Sequence, residues 1–120
     1  MKKIVLFFVL FLGTYGLNAQ TASINGDAES MAKQVERGVF EIIMPSTVTA
    51  EEAAKTAGYY TEYFTVDFDA TSKVAKITMV DNSQLGRRVI TRFLLSNEVR
   101  ELKFNGNNYT LSDFFMKYWQ

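Results

Sequence analysis

The residues best spaced for chemistry are the hydroxyl side chains that follow the chain's only proline. Ser46, Thr47 and Thr49 precede a run of helix-forming residues, and the start of a helix offers unpaired N–H groups that can bind an anion. An activated serine or threonine would need a base within hydrogen-bond reach, and the chain contains no His. These three residues therefore form a candidate ligand loop without an expected catalytic role. The alternative is structural, because Thr49 followed by Glu52 is also a capping box.

Two charged groups carry weaker signals. Asp67 and Asp69 stand on alternate positions of an apolar/polar pattern, where carboxylates either bind a hard cation or form a solvated strand face. Arg87, Arg88 and Arg92 resemble a basic patch, but a nucleic-acid interface is expected to carry a net positive charge and interleaved aromatic residues. We expect both groups to be solvated surface.

The end of the chain is rich in aromatic side chains. They form a candidate interface of Phe114, Phe115, Tyr118 and Trp119. Such a cluster does not stay exposed to water without a reason. Packing onto the domain is the favoured interpretation, and a partner groove or dimer contact is the alternative.

The first residues have the three-part plan of a secretory signal peptide. Two lysines precede the apolar residues 4–12, and a small, polar stretch ends at Ala19. We predict a signal peptide over residues 1–19, with cleavage after Ala19. The alternative is an uncleaved membrane anchor, for which the apolar run is short. Cleavage removes two of the 13 basic side chains and none of the 13 acidic ones, which leaves a net charge of −2. A chain of this charge is not expected to bind nucleic acid or an anionic membrane.

Hydrophobic periodicity divides the rest of the chain. Residues 20–38 are polar and are expected to form a flexible segment, while residues 39–120 form one domain. Alternating residues predict strands, and spacings of three and four residues predict helices. The predicted order is a strand at 39–44, a helix at 50–61, a hairpin at 64–80, a helix at 83–97, a strand at 99–104 and a C-terminal aromatic helix. The helix at 83–97 is expected to have Leu85 in its apolar stripe and Asn97 in the left-handed conformation at its end. Asn105-Gly106 predicts a tight turn after the last strand. This order is typical of an α+β fold, the ferredoxin-like βαββαβ sandwich with an added helix.

The stretch YFTVDFDATSKVAKITM and the following VDNSQLGRRVITRFLL resemble the central hairpin and second helix of a heavy-metal-associated domain. The resemblance covers residues 39–104 and implies the ferredoxin-like fold. The family's metal loop reads Met-x-Cys-x-x-Cys, whereas residues 44–49 read MPSTVT, with Ser46 and Thr49 at the cysteine positions. Neutral hydroxyls are poor ligands for copper(I), so we expect no metal-binding residues and no cofactor.

These observations predict an exported, non-catalytic binding or interaction domain that is not an enzyme. A degenerate metallochaperone-like domain with weak or no metal binding is the alternative. The expected location is periplasmic or extracellular, with an envelope protein as the partner and no membrane span after signal cleavage. The sequence leaves open whether the protein forms a homo-oligomer.

Overall fold

The computed structural model describes residues 21–120, and the predicted signal peptide lies outside them. These residues form an α+β fold around one six-stranded mixed sheet. The strands are β1 (Thr21–Ile24), β2 (Val39–Ile43), β3 (Phe64–Asp69), β4 (Val74–Met79), β5 (Glu101–Phe104) and β6 (Asn107–Thr110). The helices are α1 (Ala28–Arg37), α2 (Ala50–Ala57), α3 (Gln84–Ser96) and α4 (Leu111–Phe114); a 3₁₀ turn (Gly58–Tyr60) follows α2, and a π-type turn (Phe115–Trp119) follows α4.

The strand order is β3-β4-β2-β1-β5-β6. The predicted central hairpin is confirmed, because β3 and β4 pair antiparallel from Phe64↔Met79 to Asp69↔Val74. Strand β4 then pairs antiparallel with β2. Strand β1 runs parallel to β5 over four residue pairs and touches β2 at Ser23↔Ile43.

The helices and the sheet pack around one shared core. Alternate strand residues such as Phe40, Phe64 and Ile77 are fully buried in a single core with the helices. The residues between them, such as Glu41 and Lys76, are exposed. This alternation is typical of an antiparallel sheet with one solvated face.

The segment expected to be flexible instead contains β1 and α1. Two signals in this polar segment mark the start and the end of α1. Asp27 and Ser30 form a reciprocal capping box at the start of α1, and Gly38 ends the helix in the left-handed conformation (φ 69°). Met31 of α1 is 1% exposed, so this segment is part of the core.

The chain continues as strand β6 beyond the predicted Asn105-Gly106 turn. Both turn residues have positive φ, 51° and 81°, as a two-residue hairpin turn requires. We expected a helix to follow directly, but β5 and β6 first pair over four residues. Thr110 then caps α4 by accepting from the Asp113 N–H at 3.1 Å.

Strand β1 also changes the predicted topology. In the ferredoxin-like order the first and last strands of βαββαβ are neighbours, here β2 and β5. Strand β1 lies between them, and β6 adds a further strand at the edge. The expected four-stranded order is therefore not confirmed, whereas the predicted α+β class is confirmed.

Candidate functional site

The candidate ligand loop is fixed at both ends. The Met44 N–H donates to the Lys73 carbonyl at 2.8 Å, and the Lys73 ammonium donates to the Val48 carbonyl at 2.7 Å. The Val48 N–H closes a tight turn onto the Pro45 carbonyl at 3.0 Å. Lys73, in the turn between β3 and β4, thus holds the loop in place.

Thr49 begins helix α2 as the sequence predicts. Its extended backbone (φ −101°, ψ 159°) and its hydroxyl, which accepts from the Glu52 N–H at 3.1 Å, make it the N-cap. Such a cap stabilises a helix by about 1 kcal/mol. The Thr49 hydroxyl therefore already has a structural partner, while the neighbouring Thr47 is exposed.

The end of helix α3 lies opposite this loop. We expected Asn97 to take the left-handed conformation, but its φ is −102° and the next residue, Glu98, takes it with φ 65°. The chain turns back there because the Asn97 and Val99 N–H groups both donate to the Leu94 carbonyl. This turn places the Glu98 side chain at the surface.

A groove of about 270 Å³ separates the loop from this turn. We call it the loop–turn groove. Its lining consists of Thr47, Val48, Thr49, Glu52, Ser96, Asn97 and Glu98. Two of the three candidate ligand-loop residues, Thr47 and Thr49, therefore face one cavity, whereas Ser46 is outside its lining.

Sequence reasoning missed the second wall of the groove. Ser96, Asn97 and Glu98 are more than 40 positions from the loop along the chain, and only the packing of α2 against α3 brings them to it. From the sequence, the polar stretch at the end of α3 indicates only where that helix ends.

Asn97 is the most constrained polar residue of the groove. It is 4% exposed, and its Nδ2 donates to the Thr56 hydroxyl at 2.9 Å and to the Phe93 carbonyl at 3.0 Å. The Thr56 hydroxyl in turn donates to carbonyls of α2. This network joins α2 to α3 and leaves the buried Asn97 Oδ1 without a hydrogen-bond partner.

The two acidic side chains of the predicted hairpin have separate roles. Asp69 caps the hairpin turn, since its carboxylate accepts from the Thr71 and Ser72 N–H groups. These backbone hydrogen bonds lower the pKa of Asp69. Asp67 pairs across the strands with Lys76. Both lie on the solvated face, as expected.

The arginines expected on the solvated face of α3 do not share it. Arg87 is 9% exposed, and its guanidinium donates to the Trp119 carbonyl and to Asn82. Arg88 is exposed and lies over the Phe115 ring at 5.6 Å. The apolar stripe of α3 is also narrower than expected, because Leu85 is 62% exposed.

The candidate interface residues pack inside this chain. Phe114, Phe115 and Trp119 are buried, and Tyr118 is half-buried. Phe114 contacts the rings of Trp119 and Tyr118 at centroid distances of 5.0 and 4.9 Å. The placement of all four rings agrees with the packing interpretation rather than with an exposed partner groove.

Two searches for particular features concern residues 21–120. No three His, Cys, Asp or Glu side chains in this range are grouped closely enough to hold a metal ion. Nor does any helix there combine the length and apolar character of a membrane span. Comparison with protein-family models, curated proteins and solved structures returns no match.

Proposed function

We propose that this chain is a non-catalytic binding module whose ligand occupies the loop–turn groove. The observation that carries the proposal is the groove itself. It joins the predicted ligand loop to a second polar wall supplied by the end of α3. Small-ligand sites are concave and have few polar groups at fixed positions.

The hydroxyls of the groove support binding rather than catalysis. Thr49 caps α2, and the Ser96 hydroxyl donates to the Arg92 carbonyl at 2.9 Å and lies 3.0 Å from the Tyr60 hydroxyl. A nucleophilic hydroxyl needs a neighbouring base that accepts its proton. The hydrogen bonds of Thr49 and Ser96 go to backbone groups and to Tyr60, and neither hydroxyl is paired with the Glu52 or Glu98 carboxylate.

The setting of this activity is also a proposal. The signal-like residues 1–19 support an exported protein of the periplasm or the cell exterior, where an envelope protein would be its partner. The likeness to heavy-metal-associated domains supports an elaborated ferredoxin-like origin: with β1 set aside, β3, β4, β2 and β5 follow the ferredoxin-like order.

Fragment screening by NMR tests the proposed function. The protein purified after export, labelled with ¹⁵N, is titrated with a library of small amines, carboxylic acids and amides. Binding should shift the amide signals of residues 47–49 and 96–98 together. Thr47→Arg should abolish these shifts by filling the groove, without a loss of stability, because Thr47 is exposed.

Thr65→Arg is the matched control. Thr65 is exposed on the solvated sheet face and is not part of the groove lining, so this variant should bind like the parent protein. The proposal fails if no library member shifts both sets of signals, or if Thr47→Arg binds as well as Thr65→Arg does.

A further inference from the structure

We infer that the loop–turn groove binds a protonated primary amine, with Asn97 Oδ1 accepting one N–H and the Glu52 and Glu98 carboxylates supplying the opposite charge. This inference rests on the proposed function and specifies its ligand class. Three properties of the groove lead to it: an unpartnered acceptor, the sign of the charge, and the number of oxygen donors.

The unpartnered acceptor is the carboxamide oxygen of Asn97. The amide orientation is fixed, because Nδ2 lies against the Phe93 carbonyl, which can only accept a hydrogen bond. The oxygen is the other terminal atom of this carboxamide, it is buried without a partner, and it belongs to a residue that lines the groove. Buried polar atoms in proteins nearly always have a partner, and an amide oxygen can take only a donor.

The charge of the groove selects a cation. Glu52 and Glu98 both belong to its lining. The start of α2 opposes them with a partial charge of about +0.5, and the Lys73 ammonium, which donates to the carbonyl of the lining residue Val48, adds one positive charge nearby. The Thr49 hydroxyl already uses the Glu52 N–H at the start of α2. The two carboxylates outweigh this end of the helix and the single ammonium, so the groove disfavours the anion that the loop sequence alone would suggest.

The number of oxygen donors favours an ammonium group over a metal ion. A bound Ca²⁺ is held by about six to eight oxygen ligands, many of them from carboxylates, whereas the groove brings together only two carboxylates, and no group of three or more His, Cys, Asp or Glu side chains in residues 21–120 could hold a metal ion. An ammonium group has three N–H donors, which match the carboxamide oxygen and the two carboxylates. The oxygen is buried in this structure, so the inference requires that the groove wall moves to admit a donor.

Four probes separate these possibilities in an NMR titration of the exported protein at constant ionic strength. n-Butylammonium chloride should shift the amide signals of residues 96–98 and the side-chain amide of Asn97. Tetramethylammonium chloride carries the same charge without an N–H donor, and sodium butyrate carries the opposite charge. Neither should shift these signals, and calcium chloride should not either.

Substitutions at three glutamates complete the test. Glu52→Gln and Glu98→Gln should each weaken butylammonium binding roughly fivefold, as expected for one exposed charge pair. Glu51→Gln is the matched control in the same turn of α2, outside the groove lining, and should bind like the parent. Glu98→Gly should weaken binding at least as much as Glu98→Gln while raising the thermal midpoint, because glycine accepts the φ of 65° without strain.

The outcomes distinguish the inference from the proposed function. If a carboxylate or a neutral fragment shifts the groove signals and butylammonium does not, the inference is wrong and the proposed function stands. If tetramethylammonium binds as well as butylammonium, Asn97 Oδ1 takes no part. If calcium alone binds, the site is a hard-cation site. If nothing shifts these signals, both the inference and the proposed function fail.

Discussion

The Nε atom of Arg87 donates to the main-chain carbonyl of Trp119 at 2.6 Å. The same guanidinium reaches Asn82 through Nη1, at 2.7 Å to Oδ1 and 3.1 Å to the carbonyl. Asn82 in turn donates to the Val35 carbonyl at the end of α1, at 2.6 Å. One buried side chain therefore links α3 to the C-terminal turn and, through Asn82, to α1.

Arg87→Met should destabilise the protein by about 2–3 kcal/mol. The methionine keeps an apolar stem, but the Trp119 carbonyl and the Asn82 side chain lose a charged donor. Urea denaturation measures the change. Arg88→Met, on the exposed side of the same helix, should cost less than about 1 kcal/mol, the value of an exposed cation–π contact. Equal losses in the two variants would contradict this role of Arg87.

Trp119→Ala should cost about 3–5 kcal/mol, because it removes the largest side chain of the core. Met116→Ala, three residues earlier and 61% exposed, is the control and should change stability by less than about 0.5 kcal/mol. Trp119 is the only tryptophan, so its fluorescence reports directly on the tail. Emission should be blue-shifted and insensitive to iodide in the folded protein; ready quenching by iodide would place the ring outside the core.

Asp69→Asn should weaken stability at neutral pH but not at strongly acidic pH. The Thr71 and Ser72 N–H groups lower the pKa of Asp69 in the folded state. Its contribution is therefore present above the ordinary aspartate pKa and is lost as the pH falls through the lowered one. Thermal melts across this acidic range should converge for parent and variant. Asp67→Asn is the control, and a constant gap for Asp69→Asn at all pH values would contradict the assignment.

Tyr109 and Tyr118 should ionise in separate steps. Their hydroxyls lie 3.3 Å apart; this hydrogen bond, together with Lys117, lowers the pKa of Tyr109, and the same bond together with burial raises the pKa of Tyr118. An ultraviolet phenolate titration should show the pKa of Tyr109 returning toward its ordinary value in Tyr118→Phe. Tyr59→Phe, at a tyrosine 65% exposed, should leave both steps unchanged.

The shifted pKa values of the two tyrosines make stability depend on pH in opposite directions. The lowered pKa of Tyr109 adds stability above the ordinary tyrosine pKa, and this is lost as the pH falls through the lowered value. The raised pKa of Tyr118 adds stability below the ordinary value, and this is lost as the pH rises through the raised one. The two contributions therefore oppose each other across the alkaline range, and Tyr118→Phe, which removes the hydrogen bond between the two hydroxyls, should change the dependence of the unfolding free energy on pH there; an unchanged dependence would contradict the pairing.

The sequence predicts the elements whose signals are local. Alternating residues located the β3–β4 hairpin, Asn105-Gly106 located a turn, and Thr49 located the start of α2. Short or polar elements escaped the same reasoning: TASI is too brief for a pattern, although Ala22 and Ile24 are buried. The strand order could not be predicted, because β1 pairs mainly with β5, which is about 80 residues away along the chain.

The same limit applies to the site. The loop residues Thr47 and Thr49 carry a recognisable helix-start pattern, so they could be selected from the sequence. Asn97 and Glu98 carry only a helix-end pattern, and their role depends on a contact with α2 that no spacing reveals. Arg87 was placed on the surface for the same reason, since its acceptor belongs to the last turn of the chain.

The position of β1 bears on how the molecule reaches its native state. Thr21 pairs with Glu101, 80 residues further along the chain, so the sheet is closed by contacts of high contact order, which form slowly. Strands β2, β3 and β4 on one side, and β5 and β6 on the other, pair with partners that are nearby in the sequence. The six-stranded sheet is complete only when β1 lies between these two groups. The pairing of β1 with β5 requires residues 101–104, so during synthesis the gap between β2 and β5 cannot be bridged before those residues are available.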